Sequence, residues 1–206
     1  MSINDQMVFV VDDDASFLLS MTRLLRASGF RVRAFPSAAE FLAERPPGIG
    51  GCVVTDLQMP EMSGTELQDA LAKTDNPLPV VFLTGEGDIP TSVKAMRHGA
   101  EDFLTKRSPK EDLLAAVTRA LERDLRERGA RVRANGLSAR FDTLTPRECE
   151  VLAHVLRGQL NKQTAADLGI DERSVKRHRT SLMGKLQVVS VAELVQLAGE
   201  ANRTRP

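Results

Sequence analysis

Gly50-Gly51-Cys52-Val53-Val54-Thr55-Asp56-Leu57-Gln58-Met59-Pro60-Glu61-Met62-Ser63-Gly64 is the stretch that decides the fold. Two turn glycines lead into a short apolar run of β-forming residues, which suits a strand buried on both faces. The run stops on the carboxylate of Asp56 and breaks into a loop closed by Pro60 and Gly64. Ligands of open α/β sheets bind at the carboxyl ends of the strands, so Asp56 stands where chemistry is expected. Taken alone it would be a turn residue or a helix cap. Other segments repeat the pattern of apolar strand followed by polar residue.

Toward the N-terminus, Met7-Val8-Phe9-Val10-Val11 runs into Asp12-Asp13-Asp14. Phe17, Leu18, Met21, Leu24 and Leu25 then recur at helical spacing up to the stop at Gly29. Arg31-Val32-Arg33-Ala34-Phe35 alternates as a strand, and Ser37 caps a short helix carrying Phe41 and Leu42. Beyond Asp56, Thr65 to Lys73 reads as a helix, and Pro79-Val80-Val81-Phe82-Leu83 as a buried strand ending at Thr84-Gly85. Ile89 to His98 is expected to be helical. Asp102-Phe103-Leu104 forms a short strand ending at Thr105-Lys106, and a long helix opens at Pro109. Strands alternating with helices predict right-handed βαβ units and a doubly wound, five-stranded parallel sheet, the α/β class.

Past Leu121 the sequence turns charged, from Glu122 to Arg128, as in an exposed helical extension. Gly129 to Arg140 is small and basic, with Asn135-Gly136 as an expected breaker. The expected organisation is residues 1–123 as one domain, 124–141 as a linker with a helical extension, and 142–206 as a small all-α domain. In that last part, Thr145-Pro146-Arg147-Glu148 is a strong helix start, with Val151, Leu152, Val155 and Leu156 as the apolar face. Asn161 to Leu168 and Glu172 to Leu186 follow, joined by Gly169-Ile170-Asp171, which matches a helix-turn-helix. Ser190 caps a final helix carrying Val191, Leu194, Val195 and Leu197.

Composition narrows the function classes. The 206 residues carry no net charge and no Trp or Tyr, which speaks against a globally basic nucleic-acid binder and against aromatic stacking sites. Cys52 and Cys149 have neither metal nor disulfide spacing and read as reduced core thiols of a cytoplasmic protein. No apolar run approaches the roughly 20 residues of a membrane span. Locally, Arg173, Lys176, Arg177, Arg179 and Lys185 crowd one short helix, whose N-terminal half is suited to the major groove of double-stranded DNA.

The ends of the first, third, fourth and fifth strands carry Asp12 and Asp13, Asp56, Thr84, and Lys106. Carboxylates brought that close repel, which raises the pKa of at least one. A hard divalent cation relieves the repulsion, and carboxylate oxygens suit Mg²⁺. An aspartate beside a metal and a lysine can attack a phosphoryl donor.

Residues 5–123 resemble the receiver domain of bacterial two-component response regulators. The resemblance is carried by Val10-Val11-Asp12-Asp13-Asp14, Val54 to Gly64, Phe82-Leu83-Thr84-Gly85 and Gly99 to Lys106. It implies a flavodoxin-like fold with Asp56 as phosphoacceptor, and Mg²⁺ on Asp13, Asp56 and the backbone carbonyl of Gln58, with Asp12 holding bound water. It also implies Thr84 as phosphoryl ligand and Phe103 as the aromatic switch. Residues 142–200 resemble the LuxR-type helix-turn-helix through Leu144 to Glu148, Asn161-Lys162-Gln163, Leu168-Gly169-Ile170 and Ser174 to His178. The pairing is similar to the NarL/FixJ subfamily, the FixJ branch above all. It implies Asn161, Lys162, Arg173, Ser174, Lys176, Arg177 and Thr180 at DNA. The partners implied are a sensor histidine kinase, RNA polymerase and a second copy of the chain. A phosphohydrolase with an aspartyl nucleophile is the alternative, but the chain shows no substrate cap or second acid near Asp56.

One departure stands out. Receivers normally follow their lysine with proline, through a cis bond, whereas here Arg107 and Ser108 follow Lys106. A non-proline cis bond costs about 2.5–4 kcal/mol, so a trans bond is expected, with the loop redirected, the Lys106 amine moved off the site, and either phosphorylation slowed or its coupling to DNA binding weakened.

Overall fold

The computed structural model describes residues 6–85, 93 and 95–204. The chain divides into two compact units, residues 1–129 and 130–206.

In the first unit, β1 (Met7–Val11), β2 (Arg31–Phe35), β3 (Gly51–Asp56), β4 (Val80–Thr84) and β5 (Asp102–Thr105) form one sheet in the order β2-β1-β3-β4-β5. Every pairing is parallel. The helices α1 (Ala15–Ala27), α2 (Ala38–Glu44), α3 (Gly64–Ala72) and α4 (Lys110–Asp142) supply the connections and the long exit. Half of the expected helix from Ile89 to His98 lies outside the described residues; Val93 and residues 95–97 within it are helical.

The two-residue period of the strands builds two cores. Val8 and Val10 of β1 point with Cys52 and Val54 of β3 into a cluster shared with Leu25 of α1 and Val117 of α4. Phe9 and Val11 point the other way, with Val53, into a cluster shared with Phe41 of α2 and Leu67 of α3. Burial on both faces is why these strands read as unbroken apolar runs. Two glycines are required by close approach. A Cβ on Gly51 would lie 1.8 Å from the carbonyl oxygen of Met7, and one on Gly64 would lie 2.3 Å from that of Asp56.

Three expectations of the sequence are corrected in and beyond α4. Asn135-Gly136 does not break it; the helix runs on to Asp142. A glycine costs about 1 kcal/mol in a helix interior, and flanking Ala134, Leu137 and Ala139 are good helix formers. Asp124, placed in an exposed run, is fully buried. Its Oδ2 accepts from Gln6 Nε2 at 2.8 Å and from the Gly51 N–H at 2.9 Å, so a carboxylate ties α4 to the start of β3. Cys149 is exposed, while Cys52 is buried as expected.

The second unit contains α5 (Pro146–Leu156), α6 (Asn161–Leu168), α7 (Glu172–Leu186) and α8 (Val191–Thr204). Val151, Val155, Val175, Leu182, Leu186 and Leu194 form its core. Leu156 is 39 % exposed and stands outside the face assigned to it. Thr145 and Glu148 close the expected capping box, and Ser190, also expected as a cap, accepts from the Glu193 N–H at 3.2 Å; Asp171 caps α7, accepting from the Ser174 N–H at 2.8 Å. Among the described residues no helix is long and apolar enough to cross a membrane.

Candidate functional site

The parallel register brings four strand ends to one edge. Val11 pairs with Thr55, Asp56 with Leu83, and Thr84 with Thr105. The residues that finish or follow these strands therefore converge. Asp12, Asp13 and Asp56 each offer a carboxylate oxygen, and the three oxygens lie within 4.8 Å of one another. Asp12 is 1 % exposed and Asp56 9 %, while Asp13 faces solvent.

Backbone donors aim the buried carboxylates. The N–H of Asp14 donates to Asp12 Oδ1 at 2.9 Å, and that of Gln58 to Asp56 Oδ1 at 3.3 Å. Asp14 caps α1, accepting from the Ser16 and Phe17 N–H groups. Lys106 Nζ stands 2.7 Å from Asp12 Oδ2 and 2.7 Å from Asp56 Oδ2. Burial raises the pKa of the Asp12 carboxyl above the ordinary aspartate value, against the lowering effect of the Lys106 hydrogen bond. Burial works against the Lys106 ammonium too, but hydrogen bonds to Asp12 and Asp56 outweigh it and its pKa rises. Thr84, 2 % exposed, is the last residue of β4, and its carbonyl accepts from the Lys106 N–H at 2.7 Å. Phe103 is half-buried against Phe82, with ring centroids 6.0 Å apart.

The expected displacement of Lys106 is not found. The described residues contain no cis peptide bond, so the Lys106–Arg107 bond is trans as expected, yet the amine reaches both carboxylates. The reason is a local turn. The Ser108 N–H donates to the Thr105 carbonyl at 2.9 Å, the Thr105 N–H donates to Ser108 Oγ at 3.1 Å, and the two hydroxyls lie 3.0 Å apart. These bonds close the loop over two residues, with no proline needed.

In the second unit Arg173, Lys176, Arg177 and Thr180 of α7 are all exposed. Their spacing of three, four and seven places them on one face. Val175, Leu182 and Leu186, buried on the other side, fix which face that is. Ser174 is occupied differently: its hydroxyl donates to Asp171 Oδ2 at 2.6 Å, within the start of α7. Asn161 opens α6 and Lys162 beside it is exposed. The Asn161 Oδ1 accepts from Arg179 Nη1 at 2.6 Å, which ties α6 to α7. The Arg179 clamp was not legible from charge alone, since Arg179 looks like one more cation in a basic run. Glu148 was legible only as a capping residue; it also accepts from Ser181 Oγ at 2.6 Å and Lys185 Nζ at 2.7 Å.

Leu160, at the N-cap of α6, is 69 % exposed and offers no side-chain acceptor. Leu160→Ser is expected to stabilise the protein by about 1 kcal/mol, read as a higher thermal midpoint. An unchanged midpoint would show that the first N–H groups of α6 need no cap.

Residues 8–118 match the response regulator receiver domain, and residues 142–198 match the bacterial regulatory proteins of the luxR family. The chain belongs to the response regulators that join a receiver domain to a LuxR-type DNA-binding domain. Within them it is similar to the FixJ and TodT regulators. It is 42% identical to the response regulator protein TmoT of Ectopseudomonas mendocina, over 95% of this chain and 90% of that one. It is 38% identical to the transcriptional regulatory protein FixJ of Rhizobium meliloti, over 95% and 96%. The solved structure of the response regulator StyR superposes with a TM-score of 0.87 at 45% identity, covering 95% of this chain and 99% of that one. Full-length FixJ from B. japonicum gives 0.58 at 35% identity, over 96% and 98%. The protein is thus a phosphorylation-dependent transcriptional response regulator, with nothing in its family or fold favouring a phosphohydrolase.

Proposed function

We propose that Asp56 is the phosphoacceptor and that its phosphorylation by a sensor histidine kinase switches DNA binding by the second half of the chain. The domain limits are residues 1–123 for the receiver, 124–141 for the linker and 142–206 for the DNA-binding part. The observation that carries the proposal is the convergence of Asp12, Asp13, Asp56 and the Lys106 amine at one sheet edge beside Thr84. Three carboxylates within 4.8 Å, one of them open to water, suit a hard cation that keeps part of its hydration shell. Asp12, Asp13, Asp56 and the Gln58 carbonyl would hold Mg²⁺. When bound, the cation neutralises charge on the phosphoryl oxygens.

The residues of the chain supply the rest. A carboxylate oxygen of Asp56 attacks phosphorus while the bond to the donor's imidazole nitrogen, or to the oxygen of a small acyl phosphate, breaks. The electron pair leaves with the donor, and Asp56 becomes an acyl phosphate. The Lys106 ammonium turns from the Asp56 carboxylate to a phosphoryl oxygen, and the Thr84 hydroxyl donates to another. Phe103 turns inward as Thr84 moves. Such a switch works only by stabilising one of two states more than the other.

On the DNA side, Arg173, Lys176, Arg177 and Thr180 face the major groove and Asn161 and Lys162 the backbone, while Ser174, expected at DNA as well, caps the start of α7 with Asp171. A dimer doubles the half-sites read by one short helix. The candidate faces are Ile89 to Leu121 and Val191 to Leu197; Val191 and Val195 are 38 % and 47 % exposed. RNA polymerase is the downstream partner, and the cytoplasm the location.

DNA selection by the pure protein, with Mg²⁺ and acetyl phosphate present, should enrich one two-fold symmetric site. Light scattering should give twice the 22.6 kDa chain mass after phosphorylation. Arg177→Ala should then lose about 1–3 kcal/mol on that site and relax one base position. No enriched sequence, a persistent monomer on and off DNA, or an Arg177→Ala protein with unchanged preference would each overturn the corresponding part.

A further inference from the structure

We infer that Phe17 is a positioning residue for Lys106, holding the ammonium over the phosphoacceptor through the face of its ring. This rests on the assignment of Asp56 as phosphoacceptor. Phe17 entered the sequence as one apolar position of α1 among several. Its place in the structure is more specific. Lys106 Nζ lies 4.3 Å from the centroid of the Phe17 ring, inside the distance at which an aromatic face attracts a cation.

The geometry around the pair makes the contact directional. Phe17 follows the strand that delivers Asp12 and Asp13, and its N–H is fixed by Asp14 Oδ1 at 3.1 Å. Its ring packs on the core cluster of α1 and α4, which limits its movement. Lys106 follows β5, the strand at the sheet's far edge from β2. Its backbone is set by Thr84 and by the Thr105–Ser108 turn, but four rotatable side-chain torsions lie between that backbone and the amine. Asp12 and Asp56 attract the amine, and Phe17 gives it a face to rest on. When the Asp56 carboxylate becomes an acyl phosphate, one anionic partner of Lys106 changes shape and charge. The ring does not change, so it keeps the ammonium within reach of the phosphoryl oxygens.

The test has two arms on the full chain. The first needs neither metal nor phosphate. With the lysines ¹³C-labelled, the ε-methylene protons of Lys106 should resonate upfield of the other lysines because they lie over the ring. The shift should vanish in Phe17→Leu, which keeps apolar volume without a ring, and persist in Phe17→Tyr. The second arm is the rate of Asp56 phosphorylation by acetyl phosphate with Mg²⁺. Phe17→Leu should slow it about tenfold, Phe17→Tyr should stay within about twofold, and Phe17→Leu should add nothing in a Lys106→Ala background. An unshifted Lys106 in the wild type, an equally slow Phe17→Tyr, or an equal loss in the Lys106→Ala background would each overturn the inference. Failure of Asp56 to accept a phosphoryl group at all, with the upfield shift present, would instead remove the phosphoacceptor assignment and leave the Lys106–Phe17 placement standing.

Discussion

Asp56→Asn, incubated with Mg²⁺ and acetyl phosphate, is expected to gain no phosphoryl group while the wild type gains one. Intact-mass spectrometry reads the difference directly, and the expected effect is complete loss. A carboxamide keeps the size of the side chain but has no anionic oxygen to attack phosphorus. The neighbouring aspartates are poorly placed to substitute. Asp12 is 1 % exposed, and its two oxygens are engaged by the Asp14 N–H and the Lys106 amine. Asp13 is exposed at the rim of the cluster, where its charge suits a hydrated cation better than attack. An Asp56→Asn protein phosphorylated to the wild-type extent would move the acceptor to another residue.

The second large effect belongs to Glu148. It is 3 % exposed and accepts from Lys185 Nζ, Ser181 Oγ and the Thr145 N–H, joining α5 to α7. The Lys185 and Ser181 hydrogen bonds, with that of the Thr145 backbone, hold its carboxyl down to about 2, against an ordinary 4.5. A pKa depressed by folding adds stability that is full above the unfolded value and is lost as pH falls through the folded one. The contribution of Glu148 is therefore present at neutral pH and disappears between about 4.5 and 2. Glu148→Gln should cost about 2–3 kcal/mol at pH 7, and the gap to wild type should narrow as the pH falls across that window. Denaturant unfolding at several pH values measures it. A gap that does not depend on pH would show that packing, not charge, is what Glu148 supplies.

Much of the fold is legible because burial leaves a simple record. Val8 to Val11 and Val53 to Val54 are apolar on both faces, and only a sheet covered on both sides explains such runs. The acidic cluster is legible for a related reason: Asp12, Asp56 and Thr84 interrupt apolar strands at the one edge where parallel strands all end. Other features depend on contacts that no local rule contains. Asp124 looks like part of a solvated charge run, and only the meeting of α4 with Gln6 and Gly51 makes it a buried anchor. The missing proline after Lys106 suggests a moved amine, but the Thr105–Ser108 hydrogen bonds bring the loop back. Asn135-Gly136 has the composition of a breaker, yet a helix already nucleated over many residues extends through it at small cost. Phe17 satisfies the apolar period of α1 completely, so nothing in the sequence asks for a second role.

The most direct test of the switch is the affinity of one protein for one DNA site in two states. The selected site is titrated at fixed salt with the unphosphorylated chain and with the chain phosphorylated at Asp56. The phosphorylated wild type should bind at least about tenfold tighter, and Asp56→Asn should show the same affinity with and without acetyl phosphate. Equal affinities for the two states of the wild type, or an acetyl-phosphate response retained in Asp56→Asn, would contradict phosphorylation of Asp56 as the control of DNA binding.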